Sequence, residues 1–390
     1  MIEKEKNHTV KFSEINKLNL TDFRNHNFTS ISSNNKFISI VGANGSGKTN
    51  ILEAISMFTP GKGMRGAQLA DLSNISGKGG WSVFMEVSSC YGTTKLGTGI
   101  SNIEIKNGNS RQCRIDGKST NSPKSFANSI GVIWLTPQMD GLFVGGRSER
   151  RKFFDKLVAL IEPNHSDNIK NYERIIAQRN KVLYNSDNLS SKLLDNLERQ
   201  LAKIAASILI SRQIAVNQIN RIMIRDVSNN LFPSAEIIMR EELGSLSKDC
   251  TISEMEEDFS KILCVNRKKD KMTYRTNIGP HRTDFTLWYK KNDMYAENCS
   301  TGEQKNLLIS LILAQARVYQ MNNQGISPIL LLDEITAHLD MERINNLFDQ
   351  IFTLGSQAWL TGTKIELFDY IHSKSDFFNI NNGKLTQIEY

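Results

Sequence analysis

Gly42-Ala43-Asn44-Gly45-Ser46-Gly47-Lys48-Thr49 follows a strand-like run, Lys36 to Val41, and opens a helical pattern that reaches Phe58. The octet satisfies G-x-x-x-x-G-K-[ST], a strand-to-helix loop that closes around phosphates. Gly42, Gly45 and Gly47 keep side chains away, so backbone N–H groups, that of Asn44 among them, can converge on phosphate oxygens. Lys48 is placed to neutralise the β- and γ-phosphates, Thr49 to ligate Mg²⁺, and the helix to point its positive end at the anion. These residues predict an α/β fold built around a nucleotide.

Two distant stretches complete that site. Pro328-Ile329-Leu330-Leu331-Leu332-Asp333-Glu334 is an apolar run ending in two acids, at the strand end where open α/β sheets place ligands. Asp333 is expected to hold Mg²⁺, and Glu334 to orient or deprotonate the attacking water. Their alternative is a carboxylate pair capping the helix that starts near Asp340. Ser300-Thr301-Gly302-Glu303-Gln304 heads an apolar-periodic helix and also satisfies the capping box S-x-x-E. Ser300 lies 33 residues before Asp333, room for one helix and a turn. That order and spacing resemble ABC-type ATPases, whose signature motif binds the γ-phosphate held by an opposing subunit. The resemblance implies a Ser300–Gly302 contact to a partner's ATP, aided by the helix-terminal amides. It also implies a Q-loop role toward Mg²⁺ and water for Gln138, and an interface role for Asp340 in Ala337-His338-Leu339-Asp340. One departure is plain: Trp359-Leu360-Thr361-Gly362-Thr363 ends without the family's switch histidine, leaving the hydroxyls of Thr361 and Thr363. No N-K-x-D motif selects guanine, so adenine is expected.

At 390 residues, with 39% hydrophobic and 23% charged residues, the chain suits two or three globular domains. No run is long enough for a membrane helix, and the charged start Met1 to Lys6 does not read as a secretory signal. Five scattered cysteines, none spaced C-x-x-C, argue against zinc or disulfides and for a reducing, cytoplasmic setting. The net charge of +7 is uneven: Arg147 to Asp226 holds fifteen Lys/Arg against nine Asp/Glu, which suggests a polyanionic partner or a solvated helical face.

Lys17 to Leu20 and Phe28 to Ile31 read as an antiparallel pair, and Trp81 to Gly117 as strands and hairpins. Leu194, Leu197, Leu201, Ile204 and Ile208 form a seam of about two heptads. Ala215, Ile219 and Ile222 continue it in a shifted phase. An antiparallel helix near Ile169 to Tyr184, joined by a turn at Asn185 to Ser190, would complete a short arm. The expected architecture is an ABC-type P-loop ATPase head, a mixed sheet with helices, assembled from both chain ends, plus an inserted helical arm domain. Residues 1–146 and 276–390 would form the head and 147–275 the arm.

Over essentially the whole chain the sequence resembles the RecF family of bacterial recombination-mediator ATPases, of the ABC/SMC-like class. The resemblance rests on Leu20-Thr21-Asp22-Phe23-Arg24-Asn25, the phosphate loop, Arg147 to Asp155, Tyr172 with Gln178-Arg179-Asn180, Gly279-Pro280-His281-Arg282-Thr283-Asp284, and Ser300 to Asp340. It implies a weak DNA-dependent ATPase that forms an ATP-dependent homodimer on duplex DNA near single/double-strand junctions. It further implies work with RecR and RecO, and through them RecA, in replication and repair. For Arg24 the resemblance implies a contact to nucleotide or phosphate, with a surface arginine at a strand end as the alternative. Phosphate-directed DNA contacts are expected from Arg150, Arg151 and Lys152 and from Lys268 and Lys269 within Arg267 to Lys271. No aromatic-interleaved basic stripe is visible, which favours duplex backbone over base stacking. The missing histidine keeps a second reading beside the ATPase: an ATP-binding DNA scaffold with vestigial hydrolysis. A transporter subunit fits poorly with the basic arm, and fewer than two hundred residues between the head halves exclude a long SMC rod.

Overall fold

The computed structural model describes residues 11–106, 111–120, 122–185, 191–225, 231–240, 251–337, 339–381 and 383–390. Strands β1 (Ser13–Phe23) and β2 (His26–Ser32) form the expected antiparallel pair, with Leu18 opposite Ile31 and Thr21 opposite Phe28. β3 (Phe37–Val41) is buried along its whole length and feeds the phosphate loop and α1 (Lys48–Ser56). β4 (Gly80–Ser89), β5 (Gly92–Ser101), β6 (Gln112–Ile115) and β7 (Lys118–Thr120) extend the antiparallel sheet in the order β2-β1-β4-β5-β6-β7, and α2 (Asn102–Lys106) lies between β5 and β6. After β8 (Val132–Leu135) the period becomes helical.

The helical stretch comprises α3 (Arg147–Ile161), α4 (His165–Asn185) and α5 (Ser191–Arg225). β9 (Ala235–Arg240), α6 (Ile252–Val265), α7 (Arg267–Thr273), β10 (Asp284–Tyr289) and β11 (Met294–Tyr295) follow. The seam on α5 is buried at Leu194, Leu197, Leu201 and Ile208, and α5 packs on α6 as well as on α4. With α3 touching it as well, α5 has more helical partners than the one the sequence suggested. The expected turn at Asn185 to Ser190 lies largely outside the described residues. α8 (Thr301–Asn322), β12 (Ile329–Leu332), α9 (Met341–Leu354), β13 (Ala358–Gly362), β14 (Ser375–Asn381) and β15 (Lys384–Ile388) end the chain.

The chain divides into two compact units. One holds Met1–Asp140, Asn229–Phe232 and Leu308–Tyr390, the other Gly141–Ser228 and Pro233–Leu307. The first contains a mixed sheet, β15-β14-β3-β13-β12-β8, parallel except for β15. Its core unites both sheets around α1, including Leu18, Val83 and Leu96 from one and Ile38, Ile40, Leu331 and Trp359 from the other. α1 is consequently buried on nearly every side rather than along one stripe, and even Glu53 is fully buried. In the second unit β9 pairs with β10, which pairs with β11. That pairing ties residues 284–295 to the helices, so the break in compactness falls near Leu307, later than the 275/276 boundary read from sequence. Among the described residues no helix is long and apolar enough to cross a membrane.

Candidate active site

Sheet order builds this site. β3, β13, β12 and β8 run parallel, so their carboxyl ends share one edge, and the residues beyond them meet there. Thr49, at the start of α1, donates to Asp333 at 2.9 Å and 3.1 Å across 284 residues of sequence. The Asp333 N–H bonds Leu135 O of β8 at 2.9 Å. Thr361 Oγ1 donates to Asp333 Oδ1 at 2.7 Å and accepts the Glu334 N–H at 2.9 Å. Glu334 adopts φ 48°, a left-handed conformation in which a long side chain is strained. Gln138 is exposed in the short turn after β8, on the same sheet edge.

Lys48 folds back so that its Nζ donates to Gly42 O at 2.8 Å and Ala43 O at 3.0 Å. Burial pushes its ammonium pKa down, against the pull of Glu334 and Asp333. Ser46 Oγ is buried with no protein partner, a polar atom left for an incoming ligand. Gly45 lies at φ 80° with open space where a side chain would project. The loop is braced from behind by residues the sequence reading did not single out. Asn25 Nδ2 and the Gly383 N–H both donate to Ser46 O, at 2.9 Å and 3.1 Å. His26 Nε2 meets Gly47 O at 3.3 Å, which assigns the ring proton to Nε2, and Nδ1 then accepts from Thr29 at 2.8 Å. Gly47 is required here: at φ 115° its Cβ would lie 2.6 Å from the Asn25 amide. The available signal was adjacency, since Asn25 ends the stretch that contains Arg24.

Arg24 itself makes a forked bond to Glu53 of α1 at 2.9 Å and 2.8 Å and a third to Asp71 O. Its guanidinium thus answers the buried carboxylate on the helix behind the loop, and Arg65 approaches the same carboxylate at 3.5 Å. Asp340 caps α9 by accepting the Arg343 N–H at 2.8 Å and is exposed; His338 lies outside the described residues.

The second unit carries the remaining expected residues. Ser300 is exposed and forms a full capping box: Glu303 Oε2 accepts from Ser300 N at 2.9 Å and Oγ at 2.7 Å, and the Glu303 N–H returns to Oγ at 3.4 Å. Glu303 is steadied by Asn292 at 2.7 Å, and Gly302 faces open space. Capping and exposure coexist, so the tip of α8 is a rigid platform.

Several cations of the basic middle have internal partners. Arg150 forks onto Asp284 with two 2.7 Å bonds and also donates to Phe143 O. Arg151 donates to Thr283 O and is half-buried. Arg212, almost fully buried, clamps Asp155 at 2.9 Å and 3.0 Å and Pro280 O at 2.8 Å. Arg179, fully buried, reaches Glu198 at 3.0 Å, Asp270 and Thr276 at 2.8 Å, and Leu263 O at 2.9 Å. Part of the positive excess therefore serves internal cross-ties, balanced by Asp270 and Asp284 from later in the chain. Lys152, Lys268 and Lys269 are exposed. The fold also assembles what no linear stripe announced: Tyr184 and Tyr274, both exposed, meet edge to face at 5.1 Å, next to the lysines of α7.

Gly279 to Asp284 gains a structural role. His281 Nε2 donates to Thr276 O at 3.0 Å, so Nδ1 accepts the Tyr172 hydroxyl at 3.2 Å. Pro280 holds Arg212 and Asp284 holds Arg150, which makes the segment a junction between α3, α4 and α5.

The RecF/RecN/SMC N terminal domain model matches residues 14–385. The DNA replication and repair protein RecF of Rhizobium rhizogenes is 37% identical over 373 residues, 96% of this chain and 98% of the relative. Its counterpart in Allorhizobium ampelinum is 38% identical over 376 residues, 95% and 98%. A solved structure of the recombination mediator protein RecF-ATPrS in the RecFOR pathway shares the fold at TM-score 0.84 and 22% identity, covering 98% of this chain and all of that one. An Smc head from Pyrococcus furiosus, bound to the C-terminal domain of ScpA, matches at TM-score 0.52 and 16% identity over 96% of both.

Proposed function

The chain belongs to the RecF family of ABC/SMC-like ATPases, DNA replication and repair proteins, and from that premise we propose that it is an ATP-driven clamp on duplex DNA. In this reading two copies close head to tail around two ATP molecules. Each copy supplies its phosphate loop and acids to one nucleotide and Ser300 with Gly302 to the other. The observation that carries it is the convergence of Thr49, Asp333, Glu334 and Thr361, drawn from three chain regions onto one sheet edge.

Thr49 and Asp333 offer hard oxygen donors within 3.1 Å of each other, and Ser46 Oγ is buried and unspent, a set that suits Mg²⁺. The ion, when bound, would neutralise charge on the β- and γ-phosphates. Every other task falls to side chains. Lys48 releases Gly42 O and Ala43 O to meet the triphosphate, whose oxygens offer a better partner than neutral carbonyls. Glu334 orients the attacking water, and Gln138, exposed just beyond β8, meets Mg²⁺ and water. Ser300 and the α8 amides meet the partner's γ-phosphate. Asp340 crosses the dimer interface.

DNA is held through phosphates by Lys152, Lys268 and Lys269, while Arg150 and Arg151 are tied to Asp284 and the Thr283 carbonyl. Junctions of single- and double-stranded DNA are the preferred substrate, RecR and RecO the partners, and RecA loading the outcome. The decisive experiment sizes Glu334→Gln with ATP, Mg²⁺ and a gapped duplex, beside Ser300→Ala. We expect Glu334→Gln to remain an ATP-bound dimer on DNA and Ser300→Ala to stay monomeric; a monomeric Glu334→Gln under those conditions ends the clamp reading. The lack of a switch histidine at the end of β13, in Trp359 to Thr363, favours a second reading, a DNA scaffold that binds ATP with vestigial hydrolysis. Equal repair by Glu334→Gln and wild type in cells would support it.

A further inference from the structure

We propose that Thr361 is the positioning residue for both acids of this site: its hydroxyl proton orients the Asp333 carboxylate and its lone pair holds the Glu334 backbone. The proposal rests on the ATPase reading above. Thr361 is fully buried at the end of β13. A hydroxyl has one proton, and the 2.7 Å bond to Asp333 takes it, so toward the Glu334 N–H only acceptor capacity is left. The two bonds are mutually consistent and cannot exchange roles.

Each bond has a specific consequence. Thr49 reaches Asp333 from the helix side and Thr361 from the neighbouring strand, so the carboxylate is bracketed and cannot rotate freely. Glu334, at φ 48°, is in a conformation that persists only when its surroundings hold it. Thr361 Oγ1 holds its N–H, and the Ala337 N–H holds its carbonyl at 3.1 Å. Removing the first tie frees the residue expected to orient water. Thr363, the other hydroxyl beyond β13, is exposed and can do neither job. Thr361 is thus a preorganising group behind the acids, and its proton is already committed away from any phosphate.

The test compares full-length wild type, Thr361→Val and Thr361→Ser. Nucleotide affinity is measured with a fluorescent ATP analogue in EDTA and across a Mg²⁺ titration, then kcat and KM at saturating Mg²⁺. One lost hydrogen bond to a charged group predicts a change of roughly tenfold to a hundredfold. Thr361→Val should keep its affinity in EDTA, need about tenfold more Mg²⁺ for the same tightening, and lose roughly tenfold or more in kcat with little change in KM. Thr361→Ser should restore both. A Thr361→Val protein that titrates Mg²⁺ and turns over like wild type overturns the proposal, as does a folded serine variant that rescues nothing. If Thr361→Val fails to fold, Thr361→Cys, close in size and a weak hydrogen-bonder, carries the same measurements. Should wild type itself not hydrolyse ATP, the ATPase reading falls, and the Mg²⁺ titration still decides the case of Thr361.

Discussion

A Cβ at position 279 would sit 2.2 Å from the Tyr172 hydroxyl, with the backbone at φ 144°. Gly279→Ala must therefore displace Tyr172, break its bond to His281 and strain the turn. We expect a loss of about 2–4 kcal/mol in urea unfolding, at the high end for single substitutions because sterics and backbone act together. His281 and His26 contribute a pH dependence just below neutrality. Burial lowers both imidazole pKa values, outweighing the backbone carbonyls that raise them. Above the ordinary value near 6.5 both rings are neutral in either state; as pH falls below it, the unfolded chain takes up protons the native rings resist. Stability should thus decline from about pH 6.5 downward through the lowered native values, and His281→Asn should flatten that slope in unfolding curves taken between pH 7.5 and 5. The stretch around His281 was legible as a family mark, yet its role was not. Its partners Tyr172 and Arg212 lie 109 residues from His281 and 68 from Pro280, and nothing local names them.

The helices of the second unit are joined by ions as well as by apolar packing. Arg179 on α4 meets Glu198 on α5 and Asp270 on α7, all essentially fully buried, and Arg267 approaches Glu198 from outside at 3.0 Å. Arg179→Met leaves the buried Asp270 carboxylate without its arginine and Glu198 with Arg267 alone. The expected cost is about 3–5 kcal/mol, read as a fall in Tm with loss of helical circular dichroism. Adding Glu198→Gln and Asp270→Asn should recover part of it, since paired removal is far less costly than breaking a pair. The apolar seam on α5 and its partner α4 were readable because helical spacing is a local property. α6 was overlooked although Thr251 and Glu254 form a capping box, with Thr251 N donating to Glu254 at 2.7 Å. The β9–β10 pairing was equally hidden, because it joins segments some forty residues apart rather than across a short hairpin turn.

DNA affinity across the assembled protein should be steeply salt-dependent if phosphate contacts dominate. Replacing Lys268 and Lys269 together by Ala should lower the slope of log K against log [salt] by about 2, while Arg150→Ala should chiefly destabilise the fold by stripping Asp284 of its forked partner and leaving only the looser Arg147. Fluorescence anisotropy over a salt series, with thermal unfolding alongside, separates the two outcomes. That contrast marks the boundary between chain and fold. The phosphate loop, the acid-tipped strand, the capped helix at Ser300 and the α5 seam could be read directly, because each depends on torsions and spacings within a few turns of chain. Which arginines are solvent-facing, that Asn25 and His26 brace the loop, and that a buried threonine stands behind both acids could not. Those roles belong to pairs from 21 to 134 residues apart, and they exist only once strand order and burial bring the partners into contact and exclude the water that would otherwise satisfy them.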